Sequence, residues 1–323
     1  MDNLLEIKNL SVNYGLVPIL QNISVSVGKG EIIGVVGESG CGKSTMIYAV
    51  MGILGKTGYV DGGEILFEGD NLLDYSKEQM RQVRGEKISL IAQNPIESLH
   101  PTRRIKDQLS EMVKMHNMDV KEAREEMLRI MDIFRLKNPE RILNSYAFEL
   151  SGGMCQRVSI AMAMVLKPRL LMADEPTSAL DVITQKEVIN ELMKIRDRSG
   201  TSILIVSHNM GVISHMADKM IVMYAGHVFE YGDKKQIINH PQHPYTENLI
   251  KAVPKLHMPL PEGIEAIRVD RTLPGCPYCR SCDCKCSECD SERPEMIRLD
   301  DNCFVRCHKY AHRNTGEQLR AHA

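Results

Sequence analysis

The sequence predicts an α/β protein built on a parallel sheet, and three observations carry that expectation. Gly37-Glu38-Ser39-Gly40-Cys41-Gly42-Lys43-Ser44-Thr45 fits the phosphate-loop pattern of Gly, four residues, then Gly-Lys-Ser. It lies between a buried-strand run, Ile32-Ile33-Gly34-Val35-Val36, and a helical run, Met46-Ile47-Tyr48-Ala49-Val50-Met51, which is the context the motif needs. Two more apolar strands, Leu170 to Ala173 and Ser202 to Val206, alternate with helical stretches, the pattern of a sheet covered on both faces. Gln93, Asp174, Glu175 and His208 all stand at carboxyl ends of such strands, where open parallel sheets bind their ligands.

Residues 1–30 alternate apolar and polar, as in Leu5-Glu6-Ile7-Lys8 and Ile23-Ser24-Val25-Ser26-Val27, and predict an antiparallel β edge. Tyr14 falls in the turn between these runs, either as a stacking surface for a nucleotide base or as a turn residue covering the sheet. Gly62 to Gly69 adds a strand and turn to this layer. In the phosphate loop, glycines let the backbone wrap an anion and the first helical amides point at it. Lys43 supplies a cation for the outer phosphates and Ser44 a hydroxyl for Mg²⁺. The plain alternative is a Gly-rich turn with an exposed lysine.

Ile88 to Ala92 reads as a short buried strand ending at Gln93. From Ile105 to Leu136 the chain is charged and helical around an apolar stripe, an inserted helical subdomain spanning about 94–155. Leu150-Ser151-Gly152-Gly153-Met154-Cys155-Gln156-Arg157 closes it, with Ser151 placed as an N-cap. Two glycines at a capped helix start form a second set of amides suited to an anion. One chain with one triphosphate has no need of two such sites unless this face closes on a nucleotide held by another subunit. Asp174 supplies the usual second Mg²⁺ ligand. Glu175 is a candidate base for the attacking water, or else a solvated strand-end carboxylate. His208 could contact the γ-phosphate, although a lone strand-end histidine is more often structural. Lys186 to Arg198 is an amphipathic helix stopped by Gly200.

These parts together resemble the ATP-binding cassette (ABC) ATPases, over residues 1 to about 235. By that resemblance the fold is an ABC-type P-loop ATPase: a RecA-like core with an antiparallel β subdomain, the helical insert and a small Cys-rich C-terminal region. Tyr14 is then the base-stacking aromatic, Gly37 to Thr45 the phosphate loop and Gln93 the Q-loop glutamine and a Mg²⁺ ligand. Ser151, Gly152, Gly153 and Gln156 belong to the signature motif, with Cys155 at a variable position. Asp174 and Glu175 are the Mg²⁺ and catalytic-base pair, Ser178-Ala179-Leu180-Asp181 the D-loop and His208 the switch histidine. Gln93-Asn94-Pro95-Ile96-Glu97-Ser98-Leu99-His100-Pro101 and Asn239-His240-Pro241-Gln242-His243-Pro244-Tyr245-Thr246, with a short helix and Pro254 after it, resemble the oligopeptide, dipeptide and nickel importer ATPases. That similarity implies ATP, Mg²⁺, a second ATPase subunit in a heterodimer, two transmembrane permease subunits and, indirectly, an extracytoplasmic solute-binding protein. It places the chain at the cytoplasmic face of the membrane.

Net charge is −2, from 40 Lys and Arg against 42 Asp and Glu, and no basic cluster stands out, which argues against a nucleic-acid surface. No apolar run approaches the ~20 residues of a membrane helix and no leader is evident, so a soluble cytoplasmic chain is expected. Its 20 methionines read as adaptable core filling. Eight of its ten cysteines lie between Cys276 and Cys307, a cluster that in a reducing compartment more often holds metal than disulfides. Cys276, Cys282, Cys289 and Cys307 resemble the four-cysteine motif that binds a [4Fe–4S] cluster in the same importer ATPases. The region 236–323 is therefore expected to be a separate extension stapled by metal. Cys279, Cys284, Cys286 and Cys303 crowd the pattern, and Cys276 with Cys279, or Cys286 with Cys289, could instead be half of a zinc site. The competing functions are a soluble ABC ATPase acting on nucleic acid or ribosomes, and a metal-cluster redox protein that ATP only regulates. One signature motif and an insert of ordinary size favour the transport reading over the first, and nothing suggests a second redox site or substrate pocket for the other.

Overall fold

The computed structural model describes residues 3–178, 180–252, 271, 273–300 and 302–314, except the side chains of Glu97, Val182 and residues 312–314. Ala179 of the expected D-loop and Pro254 lie outside the described residues.

Twelve strands are described: β1 (Asn3–Tyr14), β2 (Val17–Gly28), β3 (Ile32–Gly37), β4 (Gly58–Phe67), β5 (Asp70–Asn71), β6 (Ile88–Ile91), β7 (Leu170–Asp174), β8 (Ser202–Val206), β9 (Lys219–Tyr224), β10 (His227–Asp233), β11 (Met296–Asp300) and β12 (Cys303–Arg306). The alternating strands of the first thirty residues pair antiparallel, and the small sheet runs β2-β1-β4-β5. The second sheet runs β11-β12-β10-β9-β3-β8-β7-β6. Within it, β9, β3, β8, β7 and β6 are parallel, so their carboxyl ends share one edge.

These parallel strands are mostly apolar because both faces are covered, one by the small sheet and the phosphate-loop helix and the other by the helical insert. The two faces of β3 separate cleanly: Ile33 and Val35 join the core shared with the small sheet, Ile32 and Val36 the one shared with the helical insert. The insert carries helices Ile105–Met115 and Val120–Ile133, the second N-capped by Asp119, which accepts from the Lys121 and Glu122 amides. Their apolar stripe, including Leu109, Val113, Met127 and Ile130, is buried as the 3.6-residue period requires. Helix Val182–Ser199 ends at Gly200 in the left-handed conformation.

The expected boundary near 235 does not separate two bodies. β12 pairs antiparallel with β10, so the hairpin β11–β12 extends the ATPase sheet at its edge. Cys276, Tyr278, Cys279 and Cys289 are buried in the same core as the helical insert. A tail that looked too polar to fold alone thus uses the larger sheet as its template.

Candidate active site

The phosphate loop leaves β3 and enters helix Lys43–Met51. Two of its glycines are required by space. A Cβ on Gly37, at φ +152°, would stand 2.2 Å from the Met223 carbonyl, and one on Gly42, at φ +111°, 2.6 Å from Leu20. Because the helix starts at Lys43, its first-turn amides have no partner within the helix and face the loop's mouth. The Lys43 ammonium is buried and donates to the Gly37 and Glu38 carbonyls, each at 2.8 Å. Ser39 and Gly40 are exposed at the tip, while Ser44 and Thr45 are half-buried in the first turn. Cys41 is buried beside Lys43, and burial pushes its thiol up, so it stays protonated.

Asp174 ends β7 fully buried, and its Oδ1 has no hydrogen-bond partner among the described residues. Its other oxygen accepts from the Tyr48 hydroxyl at 3.4 Å, and the Ser44 hydroxyl stands beside the carboxylate. Burial raises the carboxyl above its ordinary range. An orphaned buried oxygen beside a serine hydroxyl and a phosphate loop is a donor set that suits a hard cation such as Mg²⁺. Glu175, the next residue, is held at φ +48°, a costly backbone state for a glutamate, by its amide donating to the Val206 carbonyl at 2.9 Å. Its Oε2 accepts from Gln93 Nε2 at 3.3 Å, and its Oε1 lies 3.1 Å from His208 Nδ1. The carboxyl ends of β6, β7 and β8 thus bring Gln93, Asp174, Glu175 and His208 to one mouth with Lys43 and Ser44. Tyr14 is the last residue of β1, where it pairs with Val17 and Gly58 in the small sheet.

The signature segment sits elsewhere. Ser151 caps helix Gly152–Met164, its hydroxyl accepting from the Met154 amide at 3.3 Å. Gly152 is open, and a Cβ on Gly153 would meet only Leu180 of the D-loop, at 3.2 Å. Asp181 caps the next helix through the Ile183 and Thr184 amides. Gln156 departs from the expectation of a nucleotide contact: it is fully buried on the core side of the helix, with neither amide atom partnered among the described residues. Ser151, by contrast, is exposed at the start of the same helix, with Gly152 and Gly153 half-buried beside it.

The cysteine loop is closed at its neck by the Cys276 amide donating to the Cys289 carbonyl at 2.9 Å. Burial, then its Cys289, Cys307 and Cys279 neighbours, pushes the Cys276 thiol up to about 12. Cys282 faces Cys307 and Cys284, Cys307 faces Cys286 and Cys284, and Cys286 Sγ lies 3.3 Å from Cys289 Sγ. Among the described residues no three His, Cys, Asp or Glu side chains are grouped closely enough to ligate one ion. Cys303 belongs to a different setting, buried on β12 beside Asp300 and Glu230. Sequence reasoning assigned no role to Tyr48, Arg271 or Tyr278, and none to Tyr245 beyond its segment. Tyr48, Tyr245 and Tyr278 fall in segments that stood out for other reasons, and Arg271 falls in none.

Phosphate loop, strand-end acids and a separate capped glycine pair define an ABC-type ATPase. Residues 20–178 match the ABC transporter family, and residues 229–289 match the oligopeptide/dipeptide transporter C-terminal region. The chain is 37% identical to the dipeptide transport ATP-binding protein DppD of Bacillus subtilis, over 97% of each chain. It is also 37% identical to the oligopeptide transport ATP-binding protein OppD of Escherichia coli, over 91% of this chain and 89% of that one. Among solved structures, cbiO1 of Clostridium perfringens, part of the ABC transporter complex cbiONQ, matches with a TM-score of 0.64 at 26% identity, over 74% of this chain and 92% of that one. The ATP-binding cassette MJ0796, solved as a dimer with ADP and Pi, gives the same TM-score and identity over 71% and 98%. The chain belongs to the oligopeptide/dipeptide family of ABC transporter ATP-binding proteins, and it is an ATP-hydrolysing importer subunit.

Proposed function

We propose that this chain drives uptake of short peptides by coupling ATP hydrolysis to two permease subunits, as half of a heterodimer of ATPase subunits fed indirectly by a solute-binding protein. The observation that carries the catalytic part is the placement of Glu175 between Gln93 and His208, next to buried Asp174. Lys43 leaves its loop carbonyls for the outer phosphates, while the amides opening its helix receive them. Mg²⁺, when bound at Ser44 and Asp174 with Gln93 nearby, neutralises phosphate charge. Glu175 orients and deprotonates the attacking water, and His208 holds the Glu175 carboxylate in place and reaches towards the γ-phosphate. Tyr14 stacks the base. Ser151, Gly152 and Gly153 close over the nucleotide of the opposite subunit, because this chain's own loop already holds its triphosphate.

Cys276, Cys282, Cys289 and Cys307 are assigned to a [4Fe–4S] cluster, with zinc as the alternative. The spacing of these four carries the assignment, since soft thiolates are the ligands such a centre takes; the described residues do not group three of them around one point. A location at the cytoplasmic membrane face, held by the permeases, agrees with the finding that no described helix is long and apolar enough to cross a bilayer.

The Gln93–Pro101 segment, with Ile96 54% exposed, is the docking element for a permease. Photoreactive benzoylphenylalanine at Ile96, in the complex purified from membranes, should cross-link to a permease subunit. Adducts from other exposed positions but none from Ile96 would remove this docking assignment.

A further inference from the structure

The front of the phosphate loop is braced by residues that come from beyond position 240. The Glu38 amide donates to the Tyr245 hydroxyl at 3.1 Å, and the Gly40 carbonyl accepts from the Arg271 guanidinium. Both contacts fall ahead of the helix-opening amides, so they fix the loop without occupying the groups that would receive phosphate. Tyr245 is 2% exposed and packs between Tyr224, at 4.7 Å, and Tyr278, edge-on at 5.4 Å. Tyr278 stands inside the cysteine loop, between Cys276 and Cys279, and its hydroxyl accepts from Asn248 at 2.8 Å.

A second route leaves the other end of that loop. Arg293 follows Cys289 and donates to the Arg271 carbonyl at 3.4 Å, to the Leu273 carbonyl at 3.0 Å and to Gln21. Gln21 in turn donates to the Arg271 carbonyl at 3.5 Å. Arg271 is thereby held by its backbone while its side chain grips Gly40. The neck that joins the two routes is tight: a Cβ on Gly275 would stand 2.2 Å from the Cys289 carbonyl. Both ends of the cysteine loop are therefore linked to the phosphate loop, one at Glu38 and the other at Gly40.

We propose that Tyr245 and Arg271 are positioning residues for nucleotide binding, held in place by the cysteine loop, so that the state of that loop sets nucleotide affinity. The proposal rests on the phosphate loop being the ATP site. If the cysteine loop is loosened, Tyr245 loses its Tyr278 wall and Arg271 its carbonyl anchor, and the loop must be ordered by the nucleotide itself. Coupling of this kind is reciprocal: nucleotide must protect the cysteine loop by the same factor.

The test titrates the fluorescent analogue mant-ATP against the full chain and its variants Y245F, R271Q and K43A. Tyr245→Phe keeps the ring and removes only the hydroxyl, so binding should weaken about 3–10-fold, as for loss of one hydrogen bond, while the nucleotide-free chain still melts in one cooperative transition. Arg271→Gln should weaken it similarly and Arg271→Lys should largely restore it. In parallel, tryptic cleavage of the cysteine loop, which carries Arg280 and Lys285, should slow when ATP is added to the wild-type chain, and this protection should shrink in Y245F. Binding within about twofold of wild type in both Y245F and R271Q, with K43A abolishing it, overturns the proposal. Cleavage of the cysteine loop that ignores ATP overturns the coupling. Undiminished mant-ATP binding by K43A would instead remove the phosphate-loop assignment, and the proposal with it.

Discussion

Oε1 of Glu175 lies 3.1 Å from Nδ1 of His208, although the two residues follow different strands, β7 and β8. The pairing is imposed by the parallel register, which sets Asp174 opposite Val206. Glu175 cannot relax away, because its amide is bound to the Val206 carbonyl and its backbone is held at positive φ.

Glu175→Gln should leave ATP binding intact and lower hydrolysis about 10²–10⁴-fold, the usual cost of removing a general base. The amide still fits between Gln93 and His208, so the fold should be unaffected. Phosphate release by the reconstituted complex is the measurement, and near-normal turnover would exclude Glu175 as the base.

Gly153→Asp should block dimer closure without touching the monomer. Only Leu180 stands near the new side chain, and a carboxylate in the first turn of a helix is favoured by the macrodipole. Opposite a γ-phosphate the same carboxylate is a like charge. In the Glu175→Gln background, ATP should therefore join this chain to the second ATPase subunit in a dimer by gel filtration while Gly153 is kept, and not once Gly153→Asp is added. Loss of ATP binding by the monomer would mean that the signature serves its own site.

The strand-end constellation was legible because each part carries a strong local pattern: an apolar run of fixed length followed by a polar residue. What joins the cysteine region to the core was not. β12 contributes only Cys303, Phe304, Val305 and Arg306, too short a run to announce a strand, and its pairing with β10 is a long-range event. Gln156 misled because motif membership says nothing about which side of a helix a residue faces; burial on the core side decided it. Arg271 has no sequence signal at all, since its partner is a backbone carbonyl.

Glu230 supplies a pH dependence. It is fully buried on β10, accepting from the Gln242 amide at 2.7 Å and from the His243 amide. Burial raises its carboxyl to about 7 from 4.5, with Glu247 adding to the rise. Between those values the folded chain holds a proton that the unfolded chain has released, so stability falls as pH rises through this window and levels off above it. Buried His243, lowered to about 3, acts oppositely: below about 6.5 the unfolded chain takes up a proton that the folded chain refuses. Glu230→Gln removes the first effect and keeps the second. The stability advantage of wild type over this variant should shrink from pH 5 to pH 8 by up to about 3 kcal/mol, read from thermal melts at each pH. A difference that does not change with pH would show that Glu230 keeps one protonation state throughout.

The cysteines divide by position, and this gives the last prediction. Cys276, Cys282, Cys289 and Cys307 lie in or face the loop closed by the Cys276–Cys289 backbone bond, whereas Cys303 is directed towards Glu230 on the sheet. Chain purified without oxygen should be brown and carry about four irons if one [4Fe–4S] cluster is bound. Serine at any of the four should remove colour and iron together, because each position supplies one thiolate. Cys303→Ser should keep both, its cost confined to a polar atom placed in a buried site, about 1–3 kcal/mol in a melt. Cys279, Cys284 and Cys286 to Ser should each keep the iron as well. Colourless protein with one zinc per chain would replace iron by zinc, and the same serine series would then identify the zinc ligands.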